Sequence, residues 1–194
     1  MEKLTGDKTD SIFLEKEIGK ESKFQGAVFE TIKYTIQGPD QCAYPREVVQ
    51  HHGGCCIAAA LPDGRFLMVR QYRFAVQQEL LEFPAGKIEK GEDPAVCAQR
   101  ELEEEGGYLA ASVKEMGYVY PTCGYSTEKI FLYYADQLKR TAQHLDEGEH
   151  VKVEYLTLSE ILQLIEEGQI HDAKTIILAY KIKTMREKGC RCSE

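Results

Sequence analysis

The chain has 194 residues, with 24 Lys and Arg against 32 Asp and Glu, so its formal net charge is −8. A hydrophobic fraction of 43% and a charged fraction of 29% are typical of a soluble globular protein with one sizeable core. The negative charge argues against general binding to nucleic acid or anionic membranes, although a local cationic site could bind a phosphorylated small molecule. No stretch approaches the ~18 apolar residues of a membrane-spanning helix. The N-terminal segment lacks the apolar core of a signal peptide, so we expect a cytoplasmic protein.

The seven cysteines predict neither a disulfide framework nor a zinc site. Their number is odd, and no two of them have the C-x2-C spacing of common zinc ligands. We therefore expect reduced thiols, some of which are small core residues. For the C-terminal pair Cys190 and Cys192, a frayed tail is the favoured interpretation, with a terminal metal or redox site as the alternative.

Strand and turn patterns dominate the N-terminal half of the chain. Short apolar alternations over residues 27–36, bounded by Gly26 and by Gln37–Asp40, predict a pair of N-terminal strands. Two apolar runs, Gly54–Leu61 and Phe66–Arg70, flank a Pro-Asp-Gly turn sequence. Because glycine supplies the positive φ that such a turn needs, this pattern predicts a β-hairpin.

All the predicted helices begin at residue 93 or later. Asp93 as N-cap and Pro94 at the first helical position predict a helix that runs to Glu105 and ends at Gly106-Gly107. The remaining predicted elements are strands at Val113–Tyr120, Lys129–Tyr134 and Val151–Leu156, a helix capped by Ser159, and a helix beginning at Asp172 or Ala173. This order predicts a mixed α+β fold whose N-terminal strands form a subdomain.

The C-terminal end of the first predicted helix is unusually acidic. Glu101, Glu104 and Glu105 crowd one face at the negative end of the helix dipole. A solvated acidic face explains most helix ends of this kind, because exposed like-charge contacts cost little. It does not explain why no lysine is interleaved or why two glycines end the helix. A hard divalent cation with oxygen ligands, Mg²⁺ where phosphates are partners, would turn the repulsion into coordination.

The residues around this helix resemble the Nudix hydrolase box, G-x5-E-x7-R-E-U-x-E-E-x-G-U, in which U is bulky and aliphatic. The matching residues are Gly86, Glu92, Arg100, Glu101, Leu102, Glu104, Glu105 and Gly107. Only the last position departs from the pattern, because Tyr108 is aromatic. The resemblance implies a Nudix α/β/α sandwich with a mixed sheet, and hydrolysis of nucleoside diphosphates linked to another moiety.

The same resemblance implies roles for individual residues. Arg100 would orient carboxylates rather than contact substrate, and Glu92 would support the loop before the helix. The implied cofactor is Mg²⁺, with Mn²⁺ as a substitute. By resemblance, the metal ligands are the backbone carbonyl of Ala85 and the carboxylates of Glu101, Glu104 and Glu105.

Residues outside the box are similar to those of ADP-ribose pyrophosphatases. Arg70–Arg73 and Glu82–Gly86 match the R-Q-Y-R … E-x-P-A-G pattern of that subfamily. The resemblance implies that Arg73 contacts the diphosphate and that Glu82 contacts the nucleotide side of the ligand. Arg46, before the first core strand, would reach the diphosphate from a partner subunit.

An acidic loop before the last predicted strand supplies a candidate general base. Glu149 lies at the position that matches the catalytic glutamate of these pyrophosphatases. A carboxylate on a mobile loop can remove a proton from a metal-held water once the loop closes. Composition alone favours a solvated acidic loop, and Glu104 is the second candidate for the base.

Cys123 marks a departure from the subfamily pattern. ADP-ribose pyrophosphatases usually carry Ser-Pro-Gly in the loop after the box, whereas this chain has Cys123 where the proline is expected. Nearby Pro121 would provide similar stiffness. The departure makes acceptance of other nucleoside diphosphate sugars more credible.

Three functional hypotheses follow from these residues. The leading one is Mg²⁺-dependent hydrolysis of ADP-ribose to AMP and ribose 5-phosphate. A hydrolase of GDP-mannose or ADP-glucose is the enzymatic alternative. A non-catalytic ADP-ribose sensor is the third, but a sensor would not need a complete set of metal carboxylates.

The N-terminal strands are expected to take part in dimerisation. Residues 24–36 alternate apolar and polar side chains, and relatives in the subfamily form homodimers through such strands. We expect a twofold dimer in which Arg46 or an aromatic residue, Phe29 or Tyr34, approaches the other subunit's site. The expected division is a dimerising strand subdomain at 1–50, a Nudix hydrolase domain at 51–188 and a tail at 189–194.

Overall fold

The computed structural model describes residues 12–190 of the chain. Residues 1–11 and 191–194 lie outside the described part, as does the side chain of Cys190. The predictions for Cys190 and Cys192 therefore concern side chains outside it. Within residues 12–190, no helix is long and apolar enough to cross a membrane.

The chain divides into two compact units. Among the described residues, the strand unit contains those up to His51 together with Thr122–Glu128, and the sandwich unit contains His52–Pro121 and those from Lys129 onward. The strands of the strand unit are β1 (Lys16–Gln25), β2 (Phe29–Gln37) and β3 (Ala43–His51).

The strand unit is an antiparallel sheet in the order β1-β2-β3. The predicted pair of strands over residues 27–36 is wrong, because the structure has a single strand there, β2. No turn residue interrupts the alternation of apolar and polar residues in β2, so this segment stays extended. It pairs with β1 and β3, two strands that the sequence patterns did not predict. Ile32 and Ile36 are buried, whereas β1 is an edge strand exposed along nearly its whole length.

The sandwich unit carries all the helices of the described residues. Its elements are β4 (Gly54–Ala59), β5 (Arg65–Arg73), β6 (Gln78–Glu82), β7 (Ala85–Lys87), α1 (Pro94–Gly106), β8 (Tyr108–Val119), β9 (Ile130–Arg140), β10 (Val151–Thr157), α2 (Leu158–Glu166) and α3 (Ala173–Cys190). One sheet is mixed, in the order β7-β4-β9-β8 with β4 parallel to β9, and the other is antiparallel, in the order β10-β5-β6. The predicted mixed α+β class is confirmed.

Strand β4 shows why this unit is layered. Every residue of β4 is buried, and successive side chains point to opposite faces of the strand. Cys55 and Ile57 lie in one buried cluster with Leu102 of α1. Cys56 lies in the other cluster with Leu178 of α3. Helices therefore cover both faces, which confirms the predicted α/β/α sandwich.

The predicted hairpin between β4 and β5 is wrong in its pairing. The turn itself forms, with Gly64 at a φ of 86° and the Leu61 N–H donating to the Arg65 carbonyl at 2.8 Å. Beyond the bridge between Ala60 and Phe66, the two strands enter different sheets. Both are continuous apolar runs, which are stable only where both faces are covered, and the two-layer architecture provides that.

Helix α1 begins and ends as its sequence predicts. The Asp93 carboxylate accepts the Ala95 N–H at 2.8 Å, and Pro94 occupies the first helical position. Gly107 ends the helix at a φ of 71°, and its N–H donates to the Glu103 carbonyl at 2.8 Å. These local interactions hold the acidic end of α1 in a defined place.

The N-cap of α2 is Thr157, so the prediction of Ser159 is wrong. A reciprocal capping box needs a Glu or Gln three residues after the cap, and only Thr157 has one, Glu160. The Thr157 hydroxyl accepts the Glu160 N–H at 3.2 Å, and the Glu160 carboxylate accepts the Thr157 N–H at 2.7 Å.

We expect Thr157→Ala to lower the free energy of unfolding by about 1 kcal/mol, because the cap satisfies an otherwise unpaired helix N–H. Urea denaturation followed by circular dichroism measures this change. Ser159→Ala is the matched control and should leave stability nearly unchanged. Equal effects of the two substitutions would contradict the assignment.

Candidate active site

A single arginine organises the carboxylates at the end of α1. Arg100 Nη1 donates to Glu101 and to Glu104, each at 2.8 Å, and its Nε donates to Glu92 at 2.9 Å. The Glu92 carboxylate also accepts the backbone N–H of Glu89 at 2.9 Å. Arg100 thus contacts the carboxylates that sequence analysis expected it to orient, and Glu92 fastens the loop before the helix.

Glu105 is the most buried carboxylate of this helix end. Its oxygens accept the Ala85 N–H at 2.9 Å and the Gln71 side-chain amide at 3.3 Å. Burial raises the pKa of Glu105 to about 8, and the negative charge of Glu101 acts in the same direction, whereas Arg73 opposes it. A carboxylate that is this costly to ionise gains most from a nearby cation.

Glu101 lies directly against the backbone that precedes α1. A Cβ placed on Gly86 would overlap the carboxylate of Glu101, so only glycine permits this position of the Glu101 side chain. Burial raises the pKa of Glu101, although Arg100 opposes the rise. Gly86 and Glu101, the first and fourth fixed residues of the box, are therefore in contact.

Glu149 lies in an exposed loop between β9 and β10. Its N–H donates to the Asp146 carbonyl at 3.0 Å. The charge of Glu149 contributes to the raised pKa of both Glu101 and Glu105. The same loop is tied to the end of α1, because the Gln143 side-chain amide donates to the Glu105 carbonyl at 2.7 Å.

Arg73 and Glu82 meet in a buried ion network. Arg73 Nε and Nη2 each donate to Glu82 at 2.7 Å, and Glu82 is fully buried. Lys174 Nζ donates to the same carboxylate and to Asp172, the latter at 2.9 Å. Burial opposes ionisation of Glu82, but Arg73 and Lys174 together hold its pKa below its ordinary value.

Sequence analysis assigned no role to Lys174 or Asp172. One clue was available, since Lys174 is a cation in the first turn of α3, where the helix dipole disfavours positive charge. An anionic partner would offset this unfavourable interaction. Its partner Glu82 lies 92 residues away in sequence, which no local pattern identifies.

Arg46, the remaining site residue predicted from sequence, lies in the strand unit. Its Nε donates to Glu15 at 3.0 Å, and it pairs across β2 and β3 with Tyr34. The Tyr34 hydroxyl accepts the Gln50 side-chain amide at 2.6 Å. Arg46 and Tyr34 are therefore neighbours in one sheet, while the other predicted site residues belong to the sandwich unit.

The donor set at the end of α1 fits a hard divalent cation. Glu101, Glu104 and Glu105 supply carboxylate oxygens, and the Arg100 guanidinium contacts Glu101 and Glu104. Within residues 12–190, no three such side chains already converge into a metal-binding cluster. Arg100 contacts Glu101 and Glu104, whereas Glu105 accepts a hydrogen bond from the Ala85 N–H.

Three relatives are similar to this chain over most of its length. It is 37% identical to the ADP-ribose pyrophosphatase of Bacillus subtilis (strain 168), covering 90% of this chain and 94% of that protein. It is 40% identical to the methanol dehydrogenase activator of Bacillus methanolicus, covering 86% and 91%. A GDP-mannose pyrophosphatase of Escherichia coli (strain K12 / DH10B) is 32% identical, covering 79% and 85%.

The fold and a family model agree with these relatives. A solved structure described as an ADP compounds hydrolase superposes with a TM-score of 0.81, covering 92% of this chain and 97% of that one. At 18% identity this likeness shows the fold alone. The NUDIX domain model matches residues 50–178, which include every residue of the box. The chain therefore belongs to the Nudix family.

Proposed function

We propose that the protein is a Nudix pyrophosphatase that hydrolyses ADP-ribose to AMP and ribose 5-phosphate in the presence of Mg²⁺. The observation that carries this proposal is the position of Arg73 on β5, two residues after Gln71, whose side-chain amide donates to Glu105 at the acidic end of α1 at 3.3 Å. A diphosphate ligand needs both a cationic side chain and carboxylates for divalent ions. Similarity to the ADP-ribose pyrophosphatase of Bacillus subtilis supports the choice of substrate.

Each site residue has a distinct task in this proposal. Glu101, Glu104 and Glu105, with the Ala85 carbonyl, would hold Mg²⁺ or its substitute Mn²⁺. When bound, the cation neutralises diphosphate charge and lowers the pKa of water. Arg100 keeps Glu101 and Glu104 in place.

The remaining roles concern substrate and proton. Arg73 would donate hydrogen bonds to the diphosphate, and Glu82, which fixes the guanidinium, would lie at the nucleotide side. Glu149 would accept a proton from the water that attacks phosphorus, since its loop already brings its charge near the carboxylates. Glu104 is the second candidate for this base.

A substrate panel tests the proposal. The full-length chain would be assayed with ADP-ribose, ADP-glucose and GDP-mannose at equal concentrations, with Mg²⁺ and with EDTA. We expect the highest kcat/KM for ADP-ribose, with AMP and ribose 5-phosphate as products, and no turnover in EDTA. If none of the three substrates is hydrolysed, the proposal is overturned. Tight ADP-ribose binding by calorimetry without AMP release in Mg²⁺ or Mn²⁺ would indicate a sensor.

A second candidate function is hydrolysis of GDP-mannose. Cys123 is exposed in the turn where ADP-ribose pyrophosphatases usually carry proline. Similarity to GDP-mannose pyrophosphatase points to the same alternative. A kcat/KM for GDP-mannose above that for ADP-ribose in the panel would favour it.

Gly86→Ala is expected to reduce turnover by about 10²-fold, a typical cost of displacing a catalytic group by an ångström. The added methyl group would push the Glu101 carboxylate from its position against the backbone. Initial rates of AMP release in Mg²⁺ measure the effect. Gly19→Ala, assayed at saturating substrate, is the control, because a Cβ there comes no closer than 3.9 Å to a neighbouring atom. Normal activity of Gly86→Ala would contradict the assigned place of Glu101.

We also propose that the protein acts as a homodimer in the cytoplasm. The five cysteines with described side chains are free thiols, as expected of a reducing compartment. The edge strand β1 and its neighbour expose large apolar side chains in the single chain, including Ile18, Phe24 and Phe29. Exposed apolar surface beside the edge of a sheet favours association with another protein chain. A second copy of this chain would bring its Arg46 or an aromatic residue to the active site of the first copy.

Deleting the residues before Gly38 is expected to convert a dimer into a monomer and to raise KM. The deletion removes β1 and β2 and leaves the carboxylates of α1 untouched. Light scattering measures the mass, and initial rates with ADP-ribose measure KM. A monomeric full-length chain with undiminished activity at nanomolar concentration would exclude the dimer.

A further inference from the structure

The buried ion network consists of four side chains of alternating charge: Arg73, Glu82, Lys174 and Asp172. Glu82 is fully buried, and the side chains of Lys174 and Asp172 are only 11% and 15% exposed. Arg73 is the most open member, with 38% of its side chain exposed. The network therefore runs from the interior to one accessible guanidinium.

Backbone contacts fix the inner end of this network. The Asp172 carboxylate accepts the Thr175 N–H at 2.9 Å, at the start of α3. The Thr175 hydroxyl in turn accepts the Phe83 N–H at 3.0 Å, next to Glu82 in the chain. The carboxylates of Asp172 and Glu82 are thus held on two rigid segments, and Lys174 bridges them.

The charges of the four side chains sum to zero, with two cations against two anions. Glu82 engages Nε and Nη2 of Arg73, which leaves Nη1 outside this pair. Without the charge of Lys174, Arg73 would be the one cation left in the network beside the fully buried Glu82. The net charge of the network would then be −1. Buried charges are weakly screened, so this excess would oppose an anionic ligand at Arg73.

We propose that Lys174 is a positioning residue for the diphosphate. Because Lys174 and Arg73 both pair with Glu82, Lys174 keeps the Arg73 guanidinium oriented and leaves its positive charge free to attract the anionic ligand. The inference rests on the proposed function, which assigns the diphosphate to Arg73. Lys174 would act through Glu82, because its side chain is only 11% exposed and its ammonium group donates to Glu82 and Asp172.

Steady-state kinetics on substituted full-length chains test this role. Lys174→Met should raise KM for ADP-ribose by about tenfold, the order expected of one weakly screened charge at a binding site, with little change in kcat. Lys174→Arg should restore most of the wild-type KM, because it returns the charge. Lys181→Met is the matched control on α3 and should leave KM unchanged, since Lys181 is exposed.

Asp172→Asn separates electrostatics from loosened packing. This substitution keeps an oxygen that can accept the Thr175 N–H but changes the charge of the network to +1. KM should therefore stay the same or fall, opposite to the effect of Lys174→Met. A purely structural role would raise KM in both variants, and that result would overturn the proposal. An unchanged KM in Lys174→Met, or no rescue by Lys174→Arg, would do the same.

Calorimetry with ADP-ribose in EDTA separates this inference from the proposed function. Weaker binding to Lys174→Met than to the wild-type chain supports the network even when the wild-type chain does not hydrolyse ADP-ribose. If the wild-type chain hydrolyses ADP-ribose but Lys174→Met binds ADP-ribose as tightly as the wild-type chain does, the proposed role of Lys174 is overturned and the proposed function stands. If Lys174→Met does not fold, the KM and binding affinity of Asp172→Asn decide, and a raised KM or weaker binding contradicts the proposal.

Discussion

Glu101→Gln is expected to lower turnover of ADP-ribose at least about 10³-fold while the protein remains folded. The substitution removes a negative charge that would hold the divalent cation, and that cation would stabilise the reacting phosphate. The carboxylate lies against Gly86 and accepts a hydrogen bond from Arg100 at 2.8 Å. Glutamine keeps the shape but loses the charge that a divalent cation requires. The fold should tolerate the change, since burial and Glu104 both disfavour the ionised form of Glu101.

Initial rates in Mg²⁺ and a thermal melt distinguish loss of chemistry from loss of folding. Glu103→Gln is the matched control, because it removes the same charge from the same helix at a variable position of the box. We expect the control to keep near wild-type activity. Near-normal turnover of Glu101→Gln with Mg²⁺ would reject the assignment of Glu101 as a metal ligand.

Glu149→Gln is expected to reduce kcat by about 10²–10⁴-fold, the usual contribution of general-base catalysis, with metal affinity little changed. Glu149 lies in the exposed loop before β10, and its charge acts on Glu101 and Glu105. Glutamine at this position could still occupy the space but could not accept the proton. A lower kcat with unchanged metal affinity would distinguish a general base in the loop from a metal ligand.

Calorimetric titration with Mn²⁺ together with initial rates checks this assignment. Glu147→Gln, a neighbour in the same loop, is the control and should leave both quantities nearly unchanged. Loss of metal binding in Glu149→Gln would make Glu149 a ligand, and Glu104 would become the preferred base. An unchanged kcat would exclude Glu149 from the proton transfer.

The sequence by itself determined helix α1 and the composition of the acidic site. Asp93, Pro94 and Gly107 specify the ends of this helix through contacts with residues no more than four positions away. The spacing of Glu101, Glu104 and Glu105 then places three carboxylates at one end of the helix. Such features are readable because each depends only on neighbouring residues.

Sheet partners required the tertiary structure. The apolar runs of β4 and β5 predict strands, but their pairing depends on which distant segments cover each face. β4 pairs in parallel with β9, and β5 pairs with β6 and β10, so the adjacent strands separate after one bridge. The short strands β6 and β7 lack a long periodic pattern, and β1 is too exposed to show one clearly.

The tertiary structure also decided the environment of each charged group. From sequence, Glu101, Glu104 and Glu105 look equivalent, yet burial raises the pKa of Glu105 to about 8, although the hydrogen bond from the Ala85 N–H opposes the rise. Lys174 looks like a surface lysine until α3 brings it to Glu82, 92 residues away. Burial and long-range ion pairing depend on what the fold packs around a side chain, and local sequence does not contain that information.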